Sequence, residues 1–188
     1  MLRKIAQIIL QFAGWDTNVS FPQEIRKCII VVGPHTSSWD FVIGALYRKV
    51  LHLEEVKFLG KRELFKFPLG IFFRWLGGIP VNRYSHSNVV AQVTDWFSAK
   101  EDFRIALSPE GTRKRVNTLK TGFYYIAKEA GVPIVMVGID FSKKKIFISP
   151  PFFISESVEK DVLHIIKFFS LMNGKNSSKD LSHLRQLF

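Results

Sequence analysis

Residues 28–47 read CIIVVGPHTSSWDFVIGALY, and this stretch passes from an apolar strand through a turn into a helix. Its first five residues form a continuous apolar run, which is typical of a strand buried on both faces of a sheet. Pro34 argues against a helix running in from the strand, and Thr36, Ser37 and Ser38 are good N-cap residues. The sequence therefore predicts a turn at the carboxyl end of a central strand, a common place for chemistry in α/β proteins.

His35 and Asp40 lie in this turn with the spacing His-x4-Asp. Side chains five positions apart on one continuous helix point ~140° away from each other and could not touch. If His35 stands before the helix that carries Asp40, the chain can bring the imidazole to the carboxylate and leave the other ring nitrogen as a base. The alternative is a capping turn whose imidazole is merely exposed and whose carboxylate accepts a backbone N–H.

A second buried strand, at residues 103–108, runs directly into the turn Pro109-Glu110-Gly111-Thr112-Arg113. Gly111 allows a positive φ or a close approach of the backbone to a ligand. Arg113 is a planar donor fork suited to phosphate or carboxylate, and Thr112 could add donors. Glu110 is the acid among several bases. The alternative interpretation of this turn is an ordinary basic surface loop.

The alternation of strands and helices along the rest of the chain predicts a single α/β domain, a mixed sheet flanked by helices. Further strands are expected at residues 56–60, 79–83, 134–139 and 144–149. The last two should form a hairpin, and Pro80 favours an edge position for the strand that contains it. Further helices are expected at residues 87–100, 121–130 and 157–172. We expect three segments: an amphipathic helix and loop at 1–16, the main domain at 17–172, and a polar, partly mobile tail at 173–188.

The 188 residues carry 27 Lys and Arg against 16 Asp and Glu, which gives a formal net charge of +11. This charge implies a negatively charged partner, such as nucleic acid, an anionic membrane or an acidic carrier protein. Residues 57–83 interleave bases with aromatic side chains, which suits either nucleic-acid stacking or insertion at an anionic membrane. The single Cys28 permits neither a disulfide framework nor a cysteine-based zinc site.

The N-terminal segment is predicted to be an amphipathic helix with Arg3, Gln7 and Gln11 on one side. Its apolar side holds most of the remaining large side chains of residues 1–13. The segment is far shorter than the ~20 apolar residues of a membrane span, so no transmembrane helix is expected. Two interpretations stay open, packing on the core and lying in a membrane interface.

Four blocks of the sequence, taken in order, resemble the motifs of the glycerolipid acyltransferase superfamily, which includes the lysophosphatidic acid acyltransferases. The first is His35-Thr36-Ser37-Ser38-Trp39-Asp40, and the second joins residues 61–64 to Gly78-Ile79-Pro80-Val81-Asn82-Arg83. The third is the turn at residues 109–113, and the fourth is Val132-Pro133-Ile134-Val135-Met136-Val137-Gly138.

The resemblance implies a glycerol-3-phosphate acyltransferase-like fold and an O-acyltransferase of phospholipid biosynthesis. Such an enzyme moves a fatty acyl group from a thioester of coenzyme A or acyl carrier protein to a lysolipid hydroxyl. His35 would remove the proton from that hydroxyl while Asp40 orients the imidazole, with no acyl-enzyme intermediate and with no metal or other cofactor. The acceptor would be bound by residues of the second and third blocks, namely Lys61, Arg83, Glu110, Gly111, Thr112 and Arg113.

The expected acceptor is 1-acylglycerol 3-phosphate, and the alternative is another lysolipid such as an acylated amino acid. The alternative stays open because residues 81–83 read Val-Asn-Arg and the residues after His35 read Thr-Ser-Ser-Trp, which differ from many relatives. We expect a peripheral protein on the cytoplasmic face of an anionic membrane. Nucleic acid is not an expected partner, because the chain has no nucleic-acid-binding motif. A nucleic-acid-binding domain and an idle lipid-binding relative are the competing hypotheses.

Overall fold

The computed structural model describes the backbone of residues 1–81 and 86–188, and the side chains of these ranges except at 61 and 86–88. Within these ranges the strands are β1 Lys27–Gly33, β2 Lys57–Lys61, β3 Gly78–Val81, β4 Phe103–Leu107, β5 Ile134–Asp140 and β6 Lys145–Ile148. The α-helices are α1 Leu2–Phe12, α2 Trp39–Val50, α3 Leu69–Trp75, α4 His86–Ala99, α5 Gly122–Ala130 and α6 Val158–Ser170. Short 3₁₀ helices follow at Arg62–Phe65, Ser177–Lys179 and Ser182–Leu187.

The strands form one sheet in the order β3-β2-β4-β1-β5-β6. The first five strands run parallel to their neighbours, and β6 pairs antiparallel with β5. This topology confirms the predicted mixed sheet, the interior position of β1 and the hairpin of β5 with β6. It also confirms that the strand containing Pro80 lies at an edge, where the missing N–H of proline costs no ladder hydrogen bond.

Alternate residues of β1 enter two hydrophobic cores on opposite faces of the sheet. Ile29 and Val31 belong to the core that is completed by α4, α5 and α6. Cys28 and Ile30 belong to the core that is completed by α1 and α2. Because successive side chains of a strand point to opposite faces, covering both faces requires an apolar residue at nearly every position. This requirement explains the unbroken apolar run in the sequence.

The N-terminal helix α1 packs on the domain through a narrow stripe of its surface. Ala6 and Leu10 are buried in the core beneath α2. The other large apolar side chains of the helix stay exposed, and they are Leu2, Ile5, Ile8, Ile9 and Phe12. The helix therefore packs on the core and still presents an apolar face outward. Within the described ranges, no helix combines the length and the apolar character needed to cross a bilayer.

The polar composition of residues 173–188 suggested a partly mobile tail, and the structure packs this segment against the domain. Leu181 and Leu184 are buried in the core beside α5 and α6. The carboxylate of Asp180, also buried, accepts hydrogen bonds from the N–H and the hydroxyl of Ser182 at 3.0 and 2.6 Å. Two buried leucines and a satisfied buried acid fix the segment, although its polar composition suggested otherwise.

Candidate active site

The two turns singled out in the sequence meet at the carboxyl edge of the sheet. Strands β1 and β4 are parallel neighbours, and Val31 is in register with Leu107. The turns that follow them must therefore lie side by side. They are joined by a hydrogen bond of 2.6 Å, in which the backbone N–H of His35 donates to Oε1 of Glu110.

His35 stands outside the helix that carries Asp40, as the spacing argument required. Helix α2 begins at Trp39, so Asp40 lies in its first turn while His35 lies in the preceding loop. The imidazole Nδ1 is 3.2 Å from Asp40 Oδ2, and the side chains are 33% and 4% exposed, respectively. The carboxylate can therefore fix the tautomer with the proton on Nδ1, and Nε2 is then the basic nitrogen.

Asp40 also holds the turn itself. Its Oδ2 accepts the backbone N–H groups of Thr36 and Ser37 at 2.7 and 2.8 Å. Both interpretations of the His-x4-Asp spacing are thus present at once, a capping turn and an imidazole–carboxylate pair. Because one oxygen serves the two amides and the ring, the backbone geometry of the turn and the orientation of the imidazole are set by the same group.

Glu110 is the most deeply buried group of the site, with 1% of the residue exposed. Burial raises the pKa of its carboxyl to about 7, the hydrogen bond from the His35 N–H opposes that rise, and the charges of Asp40 and Asp180 add to it. Oε2 of Glu110 and Oδ1 of Asp40 are buried without a hydrogen-bond partner among the described residues. Glu110 acts on the site by fixing the backbone of the histidine from the neighbouring strand.

The turn after β4 also brings Arg113 to the histidine loop. The guanidinium of Arg113 donates a hydrogen bond to the hydroxyl of Ser38. Gly111 has a φ of +64°, as its place in the turn suggested, and this is a backbone conformation that favours glycine. The hydroxyl of Thr112 accepts the N–H of Lys114 at 3.3 Å. Arg113 thus lies at the site with a hydroxyl partner and with no carboxylate partner among the described residues.

Two predicted binding residues cannot be located by their side chains. Arg83 lies outside the described residues, and Lys61 is described only as the last residue of β2. A pocket of about 400 Å³ lies directly after β2 in the described part of the chain, and its lining includes the bases Arg62, Lys66 and Arg74 and the acid Glu63. This pocket follows the carboxyl end of β2, on the same edge of the sheet as His35.

A larger open pocket of about 590 Å³ lies directly beside the histidine loop. One side is formed by the loop and the start of α2, and Arg113 adds a base. The other side is formed by the C-terminal residues Lys175, Asn176, Ser177 and Lys179, none of which the sequence reasoning selected. The available signal was the pair of lysines in a polar segment, which by itself is common on protein surfaces.

Among the side chains that the structure describes, no three His, Cys, Asp or Glu residues cluster closely enough to hold a metal ion. What the geometry does assemble is an oriented imidazole, a neighbouring guanidinium and an open pocket. This combination is suited to removing a proton from a bound hydroxyl beside an anionic group.

Known proteins with similar sequences and structures point in the same direction. The family model described as Acyltransferase matches residues 16–140. The human 1-acyl-sn-glycerol-3-phosphate acyltransferase beta is 32% identical over 150 residues, which cover 77% of this chain and 52% of the human protein. The 1-acyl-sn-glycerol-3-phosphate acyltransferase of Escherichia coli strain K12 is 31% identical over 124 residues, 62% of this chain and 49% of that one. The chain thus spans about half the length of the curated relatives it matches.

The fold has a solved counterpart in the 1-acyl-sn-glycerophosphate (LPA) acyltransferase PlsC from Thermotoga maritima. The two chains superpose with a TM-score of 0.54 at 20% identity, over 87% of this chain and 76% of the other. At that identity the likeness concerns the fold, which agrees with the fold expected from the sequence blocks. Because the family model covers most of the chain, including both turns of the site, the chain belongs to the Acyltransferase family.

Proposed function

We propose that the protein is an O-acyltransferase that moves a fatty acyl group from a thioester to the free hydroxyl of 1-acylglycerol 3-phosphate, a step of phospholipid biosynthesis. The thioester is carried by coenzyme A or acyl carrier protein. The observation that carries the proposal is the buried carboxylate of Asp40 at 3.2 Å from the imidazole of His35. The names of the human and bacterial relatives support the choice of acceptor.

In the proposed reaction, Nε2 of His35 accepts the proton of the acceptor hydroxyl as its oxygen attacks the thioester carbonyl. The tetrahedral intermediate then expels the thiolate, which takes the proton back from the imidazolium. Asp40 stabilises the imidazolium through Nδ1 while both steps occur. The transfer is direct, because the acceptor supplies the nucleophile and no Ser or Cys of the protein is needed.

The acceptor's anionic headgroup is held by Arg113 together with Arg83 or Lys61. A guanidinium can donate two parallel hydrogen bonds to a phosphate, which fixes the distance between headgroup and hydroxyl. Glu110 supports this arrangement by holding the His35 backbone against the turn that carries Arg113. Gly111 and Thr112 shape the same turn.

The acceptor is a lipid, and we propose that the protein meets it at an anionic membrane surface. The exposed apolar face of α1 supplies one contact, with Phe12 94% exposed. The segment after β2 supplies another, because Phe67 and Trp75 are 86% and 70% exposed beside Lys66 and Arg74. Exposed aromatic side chains with bases and a net charge of +11 suit the headgroup region of an anionic leaflet.

Both surfaces lie beside α2. Helix α1 packs against α2. The ring of Phe73 on α3 packs against the ring of Phe41 in the first turn of α2, with the ring centres 5.7 Å apart. That turn also exposes Trp39 and Val42. The active-site loop directly precedes this turn, so docking through these side chains would bring the lipid to His35.

Vesicle co-sedimentation tests the membrane contact. The double variant Ile8→Ser/Phe12→Ser removes exposed apolar surface from α1 and is expected to lower binding to anionic vesicles. Leu163→Ser, a partly exposed leucine on α6 at the opposite face of the sheet, is the matched control and should bind as the wild type does. Equal binding by all three proteins would mean that α1 is only structural.

The activity is tested with the wild-type protein, a set of acyl-CoA and acyl carrier protein donors, and a panel of lysolipids. Product analysis should show phosphatidic acid formed from 1-acylglycerol 3-phosphate. If the protein transfers the acyl group only to another lysolipid, such as an acylated amino acid, the proposed reaction type is correct and the proposed acceptor is wrong. Vesicle binding without any turnover would favour an idle lipid-binding protein and would refute the proposed activity.

A further inference from the structure

The C-terminal segment 173–180 is built into the active-site loop. Gly174 lies so close to Thr36 that a Cβ at this position would be 2.5 Å from the threonine methyl. The backbone N–H of Asn176 donates to the hydroxyl of Thr36 at 3.2 Å. Because Thr36 directly follows His35, the segment is held one residue away from the proposed base.

The same segment is fixed at its other side by the turn after β5. The carbonyl of Asn173 accepts the N–H of Phe141 at 2.8 Å, and the ammonium of Lys175 lies 5.9 Å from the centre of the Phe141 ring. The buried carboxylate of Asp180 accepts the N–H of Gly174 at 3.4 Å. The lysines of this segment are therefore carried on a backbone that is anchored at both ends.

These lysines change the charge of the pocket beside His35. The described lining residues include three cations, Arg113, Lys175 and Lys179, and no acid. Arg113 comes from the turn after β4, whereas both lysines come from a segment beyond residues 16–140, the part matched by the family model. The side of the pocket that carries Lys175 and Lys179 is therefore a feature of this chain that the family assignment does not explain.

We infer that Lys175 and Lys179 are further cations of the site at which Arg113 binds the phosphate group of the acceptor, an inference that rests on the proposed function. In 1-acylglycerol 3-phosphate the phosphate is attached to the carbon next to the one that bears the reactive hydroxyl. A hydroxyl at Nε2 of His35 therefore puts the phosphate within reach of the adjoining pocket. A second phosphate-bearing substrate, coenzyme A, offers the same chemistry and must be distinguished by experiment.

The consequence is selectivity for acceptors with a doubly charged headgroup. Three cations in a pocket whose described lining includes no acid repel one another, and a phosphate relieves this repulsion while a neutral headgroup does not. The lysine pair acts in binding and not in proton transfer. Its removal should therefore raise KM for a phosphate-bearing acceptor and leave kcat at saturating acceptor nearly unchanged.

Binding is measured without a thioester, so that turnover is not required. Calorimetric titration with a short-chain 1-acylglycerol 3-phosphate, in monomeric form, should give an affinity at least about tenfold weaker for Lys175→Gln/Lys179→Gln than for the wild type. The double variant Lys100→Gln/Lys160→Gln loses the same charge at positions remote from the site and serves as the matched control. Equal affinity of the two double variants would overturn the inference.

Two further titrations test whether the lysines bind the phosphate of the acceptor or that of coenzyme A, and whether they act on the phosphate alone. Titration with coenzyme A should give the same affinity for both double variants, and a selective loss in Lys175→Gln/Lys179→Gln would assign the lysines to the donor and overturn the inference. A monoacylglycerol that lacks phosphate should bind both double variants equally. If wild-type protein binds the lysophosphatidate but transfers no acyl group, the proposed activity fails while the phosphate site stands.

Discussion

Replacing Asp40 by asparagine keeps the size of the side chain and removes the charge that faces His35. The imidazole nitrogen and the carboxylate oxygen are 3.2 Å apart. At this distance a unit charge pair is worth about 1.3 kcal/mol with the dielectric constant of water and about 5 kcal/mol at an effective dielectric constant near 20. These limits correspond to rate losses between about 10-fold and about 5,000-fold.

The burial of the two groups narrows this range. The carboxylate is nearly inaccessible, whereas a third of the imidazole is exposed and is partly screened by water. We therefore expect Asp40→Asn to lower kcat by about 10²–10³-fold, because the imidazolium that forms during transfer loses its counter-charge. The variant should also lose about 1–2 kcal/mol of stability, since two backbone N–H groups exchange a charged acceptor for a neutral one.

Asp161→Asn separates the catalytic effect from the structural one. Asp161 also lies in the first turn of a helix, is buried, and accepts a backbone N–H, that of Ser155 at 2.7 Å. It should lose a similar amount of stability and keep its rate. The assay is steady-state acyl transfer, with unfolding followed in urea for both variants. A kcat of Asp40→Asn within about twofold of the wild-type value would mean that the charge of Asp40 does not support the transfer.

Other predictions concern the supporting residues. Because the folded pKa of Glu110 is about 7, above its ordinary value of 4.5, wild-type stability should fall as pH rises from about 4.5 to 7, by up to about 3 kcal/mol. Glu110→Gln, which resembles the protonated acid, should remove this dependence of stability on pH. The free energy of unfolding in urea, measured at pH 5 and at pH 8, tests this. If the variant loses as much stability between the two pH values as the wild type, Glu110 is not the cause. Leu184→Ala should cost about 2–5 kcal/mol because the leucine is buried in the main core, and a loss below about 0.5 kcal/mol would mean that the C-terminal segment is not part of that core.

The central part of the site could be predicted because its information is local. The apolar run before His35 identifies a central strand, and the turn that follows it must lie at the carboxyl edge of the sheet. The spacing to Asp40 then leaves one productive geometry, with the histidine before the helix. The meeting with Glu110 is a long-range contact, because it depends on the pairing of β1 with β4, which the sequence analysis did not predict.

The side of the pocket formed by the C-terminal residues 175–179 could not be predicted in this way. The loop beside His35 receives Asn176 from a segment 140 residues away, and no periodic pattern relates the two. The segment is anchored by single side chains, Leu181 and Leu184, within a polar stretch whose composition is typical of a mobile terminus. Long-range contacts of this kind depend on how the completed core leaves space for them, which local sequence does not specify.

The claim that His35 is the base is tested most directly by His35→Ala in acyl transfer to 1-acylglycerol 3-phosphate, with acceptor binding measured on the same protein. We expect a loss of ~10²–10⁴-fold in kcat. Acceptor affinity should stay within about threefold, because the phosphate is held by other residues. Transfer by His35→Ala at the wild-type rate, with the protein folded and the acceptor bound, would mean that His35 is not the base.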